Sequence, residues 1–152
     1  MKRWMGLLAG FALAVLLAPS GETEIADLRP VELLSIYQEE GQLCVETDTG
    51  DLGKGVDLQT ALKDLKATTP GEIFLETADY VMVTAETKAY LPELKKILRP
   101  ATEIVQMQDR IEVSAAAEFL SVHRPGLSMK DYRSESMLPM LAIKEGRCSL
   151  VQ

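Results

Sequence analysis

From Val31 onward the hydrophobic period of the chain switches repeatedly between that of a strand and that of a helix, and this alternation restricts the fold more than any other feature. Residues 31–37, VELLSIY, are rich in branched and aromatic side chains, and Glu39-Glu40-Gly41 breaks the run before residues 42–47 resume it. In the second run Leu43, Val45 and Thr47 share a face. Two short runs about a Gly-containing break predict a β-hairpin. Residues 48–55 hold three glycines and two aspartates and are expected to be a loop. The period then becomes helical. Leu58, Ala61, Leu62 and Leu65 fall at i, i+3, i+4 and i+7, with Lys63, Asp64 and Lys66 opposite. Asp57 is placed to cap this helix, which should end near Thr68, before Pro70-Gly71.

The alternation continues. Residues 73–75 and 80–83 predict one interrupted strand or two short ones. Thr84 is placed to cap a second helix with Tyr90, Leu91, Leu94, Ile97 and Leu98 inward, and Pro92 either kinks it or starts a new one. Residues 103–107 and 111–113 are strand-like. Ser114 then caps a third helix, with Ala116, Ala117, Leu120 and His123 expected inward, until Pro125-Gly126 stops it. Residues 137–143 and 147–151 predict a second hairpin, and both hairpins turn on Glu-Gly. Hairpins near both ends, with α and β alternating between them, predict an α/β (α+β) fold: a single mixed sheet with about three helices packed on it.

The N-terminal residues read differently. Lys2 and Arg3 precede residues 5–18, which carry no charge, and Ala18 and Ser20 supply small residues at −3 and −1 for a cut after Ser20. That is the layout of a secretory signal peptide. An uncleaved membrane anchor over residues 4–21 is the alternative, and a buried core helix a third. The expected organisation is therefore a leader or anchor over residues 1–20 and one mixed α/β domain over residues 21–152. The whole chain carries a net charge of −7; loss of Lys2 and Arg3, with no acidic residue beside them, leaves −9. So acidic a body repels phosphate backbones and anionic lipid, which argues against nucleic acid as a partner. A hydrophobic content of 47% excludes disorder, and the absence of Asn excludes N-glycosylation.

Few residue patterns carry chemistry. Gly50-Asp51-Leu52-Gly53-Lys54-Gly55 has two residues between its first glycines where a phosphate loop needs four, and Gly55 stands where that loop needs Ser or Thr. Glu46, Asp48 and Asp51 are close in sequence, but Gly50 occupies a ligand position of an EF-type calcium loop. His123 is the only histidine, so a triad hydrolase would have to use it. Cys44 and Cys148 fall in the two hairpins. Outside the cytoplasm they can form a disulfide if the hairpins are neighbours; otherwise they are half-buried thiols serving as small apolar groups. No catalytic, metal-binding or cofactor-binding residue is assigned.

The order of elements from Glu24 onward is similar to the N-terminal region of the Ger(x)C family, the C-subunit lipoproteins of spore germinant receptors. The residues that carry the likeness are Glu24-Ile25-Ala26-Asp27-Leu28, the helix opening Leu58-Gln59-Thr60-Ala61-Leu62, the strand over residues 79–84 and the helix over 86–98. The helix ending at Leu120, and Leu138-Pro139 followed by Lys144-Glu145-Gly146, complete it. Ser20-Gly21 stands where that family has its lipid-bearing Cys, and the family's Trp-Asp pair is missing. The resemblance implies a non-enzymatic role in sporulation or germination and carries over no catalytic residue.

Together these features lead us to expect a non-enzymatic, extracytoplasmic binding or assembly module. Its partner would be a protein at the cell or spore envelope, or a small ligand, with membrane contact only through an uncleaved leader. The alternatives are a small secreted hydrolase using His123 or a carboxylate pair, and a structural envelope component.

Overall fold

The computed structural model describes residues 28–151. The expected leader over residues 1–20, and Glu24 to Asp27 of the family likeness, lie outside the described residues. Among the described residues no helix is long and apolar enough to cross a membrane.

Strands β2 (Leu33–Glu39) and β3 (Gln42–Thr47) form the first predicted hairpin. Glu40 and Gly41 both take positive φ, 53° and 78°, which is the type I′ geometry that matches strand twist. A short strand β1 (Leu28–Pro30) precedes them and pairs in parallel with β5 (Glu72–Phe74) in a separate two-stranded sheet. The expected loop over residues 48–55 instead contains a strand, β4 (Leu52–Gly55), antiparallel to β3. Helix α1 (Leu58–Thr68) follows as predicted, with Asp57 Oδ1 accepting from the Thr60 amide at 2.7 Å.

Residues 53 and 55 had to be glycine for this arrangement. A Cβ on Gly53 would stand 2.6 Å from Leu65 Cβ, and one on Gly55 would stand 2.8 Å from Thr60 Cβ. Helix α1 thus lies directly on the β4 backbone. It also closes the outer edge of β4. Asp64 Oδ2 accepts from the Lys54 amide at 2.9 Å, and Thr68 Oγ1 donates to the Leu52 carbonyl at 3.3 Å.

Strands β6 (Tyr80–Val83), β7 (Glu103–Met107), β8 (Met140–Lys144) and β9 (Arg147–Val151) complete a seven-stranded sheet in the order β4-β3-β2-β6-β7-β8-β9. The pairs β2–β6, β6–β7 and β7–β8 are parallel; the hairpins at either side are antiparallel. Pro92 lies in the first turn of the short helix α2 (Leu91–Leu94), so it starts a helix after the 3-10 turn Thr87–Tyr90. Residues 111–113 are not a strand. Helix α3 (Val113–Val122) begins there, with Glu112 rather than Ser114 at the cap. Ser114 Oγ bonds the Glu112 carboxylate instead.

Two cores result, one on each face of the sheet. Leu34, Ile36, Val45, Val81 and Ile104 pack beneath α1 and α2. Leu33, Tyr37, Cys44, Met82 and Val105 pack beneath α3 through Val113, Ala116, Ala117 and Leu120. The edge of β7 away from β6 is shared between β8 and the segment that precedes it. The Leu127 carbonyl takes the Ile104 amide and the Pro139 carbonyl takes the Gln106 amide, both at 2.8 Å. The buried Glu103 fixes this corner by accepting from the Gly126 amide at 2.8 Å and pairing with Arg124 at 2.6 Å.

Cys44 and Cys148 are free thiols, and four strands separate β3 from β9. Five strand spacings put them roughly 24 Å apart, far beyond disulfide reach. The condition of neighbouring hairpins fails because β2 takes β6, not β8 or β9, on its inner side.

Two stability effects should follow. Gly53→Ala drives a methyl group into helix backbone and should cost about 3 kcal/mol, the upper part of the overpacking range, in urea unfolding. Ser35 Oγ is buried on β2 without a hydrogen-bond partner among the described residues. Ser35→Ala removes this orphan and should raise unfolding free energy by about 1 kcal/mol in the same assay.

Candidate functional site

Helix α3 presents two stripes. Val113, Ala116, Ala117 and Leu120 recur at i, i+3, i+4 and i+7 and are buried against the sheet. The flanking residues Ala115, Phe119 and Val122 lean toward β9, where the alternation of an extended chain turns Cys148 to the same side. The result is an open groove between α3 and β9 with an apolar floor and with Glu118, His123 and Arg147 at its margin. Val122 is 74% exposed there. Arg147 has no ion-pair partner among the described residues.

His123 is exposed, not inward as expected from its spacing. It follows the last turn of α3, where its amide donates to the Phe119 carbonyl at 2.9 Å. Its ring lies 4.5 Å from that of Phe119, centroid to centroid. Among the described residues its side chain has no hydrogen bond to a carboxylate or nucleophile.

The densest polar constellation is elsewhere, at the outer end of the β2–β3 hairpin. Tyr37 Oη donates to Glu46 Oε2 at 2.8 Å and accepts from Arg110 Nη2 at 2.8 Å. The Arg110 guanidinium carbon stands 4.5 Å from the Tyr37 ring centroid, a cation–π contact. Arg110 also pairs with Glu39, whose other oxygen meets Lys54 Nζ at 3.3 Å. Burial, reinforced by the bond to Glu46, raises the Tyr37 phenol well above its ordinary range. The Lys54 hydrogen bond and the Arg110 charge hold the Glu39 carboxyl below the usual value. Burial likewise pushes the Cys44 thiol up, the wrong direction for a nucleophile. Opposite charges here face one another rather than an opening, so the group fastens residues 108–112 to the hairpin.

Sequence proximity among Glu46, Asp48 and Asp51 does not become spatial convergence. Glu46 serves Tyr37. Asp48 Oδ1 accepts from the Glu32 and Leu33 amides at 2.9 and 3.0 Å. Asp51 pairs with Arg29 at 3.2 Å. Among the described residues no three His, Cys, Asp or Glu side chains are grouped to hold a metal.

Set against known proteins, the chain matches no family model, no curated protein and no solved structure.

The groove was not legible beforehand, because its two walls are separated by the polar stretch between α3 and β8. The only advance signal was the apolar Phe119 and Val122 outside the buried stripe of the third helix.

The Tyr37 cluster sets an alkaline limit. Its folded pKa lies above the unfolded value of about 10, so its contribution is complete below pH 10 and is lost as pH rises further. Stability should therefore fall more steeply above pH 10 in the parent chain than in Tyr37→Phe, read by urea unfolding between pH 8 and 11.5. The same substitution should remove one late phase from the phenolate absorbance titration.

Proposed function

We propose that this protein is a non-enzymatic binding and assembly module at the envelope of a spore-forming bacterium, working outside the cytoplasm in sporulation or germination. The observation that carries the binding part is the groove between α3 and β9. It leaves Phe119, Val122 and Cys148 accessible and places at its margin Arg147, which has no ion-pair partner among the described residues. A protein segment with apolar side chains and one carboxylate fits those features: the side chains cover the floor and the carboxylate meets Arg147. The placement outside the cytoplasm rests on the charge and apolar pattern of residues 1–20, and the process on the likeness to the Ger(x)C family.

Several carboxylates are engaged in ion pairs that hold the fold. Asp79 pairs with Arg99, Glu103 with Arg124, and Glu39 with Lys54 and Arg110.

A single experiment tests the reading. The full chain, tagged at its C-terminus and carrying a photoreactive amino acid in place of Val122, is expressed in a spore former and the cells are fractionated. Recovery in the envelope fraction is expected, with one discrete protein cross-linked and that product lost in Arg147→Glu. Recovery in the cytosol with residues 1–20 retained would sink the placement. Absence of any cross-link, or a hydrolytic activity abolished by His123→Ala, would sink the binding role.

A further inference from the structure

The two edges of the seven-stranded sheet are finished differently. At β4, side chains of α1 occupy the outward amide and carbonyl groups. At β9, among the described residues, the only strand partner is β8. The open groups of β9 can be identified. Lys144 and Arg147 flank a two-residue turn in which Glu145 and Gly146 have φ of 51° and 74°, a type I′ hairpin. The flanking pair of such a hairpin exchanges both backbone bonds, and bonded and non-bonded pairs then alternate. Arg147, Ser149 and Val151 therefore direct their backbone groups to β8. Cys148 and Leu150 direct theirs outward.

We propose that β9 pairs antiparallel with β9 of a second copy of this chain, about a two-fold axis at Ser149. Among the described residues this register uses the outward groups in full: Cys148 of each copy exchanges both bonds with Leu150 of the other, giving four hydrogen bonds. Centring on Cys148 would give two and would set Leu150 against the Gly146 turn. The Ser149-centred register makes the two Ser149 residues a non-bonded pair, in which side chains approach most closely. Ser149 Oγ is one of the two buried side-chain polar atoms without a partner among the described residues. A turn about χ1 gives each hydroxyl the other as partner. Arg147 falls opposite Val151, so no like charges meet, and Cys148 packs beside Leu150 on the groove side. The strand has no Pro and no bulge, and its one cation stands at its start, away from the axis. The inference is argued from the backbone edge of β9 and not from what the groove binds, although Arg147 and Cys148 belong to both.

Cross-linking tests it in the full chain. In a Cys148→Ser background, Ser149→Cys brings the two new thiols together at the axis. Mild oxidation of permeabilised cells should yield a covalent dimer on a non-reducing gel, at least tenfold more than Val151→Cys, whose copies lie apart. Adding Leu150→Pro removes an outward N–H while leaving the bonds to β8, and should reduce the Ser149→Cys dimer at least tenfold. A monomer throughout, or equal dimer from Ser149→Cys and Val151→Cys, overturns the proposal. The readout does not depend on which side of the membrane the protein occupies, so it fails or succeeds separately from the envelope assignment.

Discussion

Strands β2, β6 and β7 are buried on both faces, and the remaining architecture answers that constraint. A strand shielded on both sides cannot give backbone groups to water, so it needs a neighbour along each edge. Parallel neighbours in turn need connections that cross a face of the sheet. Helices α1 and α2 cross on one side and α3 lies on the other, which divides the interior into two cores. The small side chains Ser35, Ala116 and Ala117 lie where α3 meets the sheet, and the Ser35 hydroxyl has no partner there among the described residues.

Much of this was visible in local periodicity. The two hairpins, the capped helix over residues 58–68 and the strands near 80–83 and 103–107 all emerged from spacing, because each is specified by neighbours in sequence. The class of fold followed from their order. What failed were features set at a distance. The strand Leu52–Gly55 carries two glycines and no β-branched residue; it exists because β3 and α1 hold it from either side. Residues 111–113 are apolar enough to suggest a strand, yet the third helix begins at Val113. The separation of Cys44 from Cys148 depends on strand order, on which hydrophobic pattern is silent.

The same contrast explains the polar residues. Glu46, Asp48 and Asp51 are near in sequence and diverge in space, since β3 ends at Thr47: Glu46 projects from the strand to Tyr37, Asp48 turns back to the Glu32 and Leu33 amides, and the turn sends Asp51 toward Arg29. Tyr37, Glu39, Lys54 and Arg110 are scattered in sequence and converge, because β2, β3 and β4 lie side by side and residues 108–112 fold over them. The candidate groove is of the second type, with walls from α3 and β9.

The way α1 occupies the outer rim of β4 has a consequence for growth. A sheet able to add strands at both rims is a monomer for a filament, since every addition exposes a fresh acceptor. Here one rim is closed by Asp64 and Thr68, so addition at the other ends after a single step. Two side chains of one helix, Asp64 and Thr68, thus decide whether such a sheet closes as a pair or extends without limit.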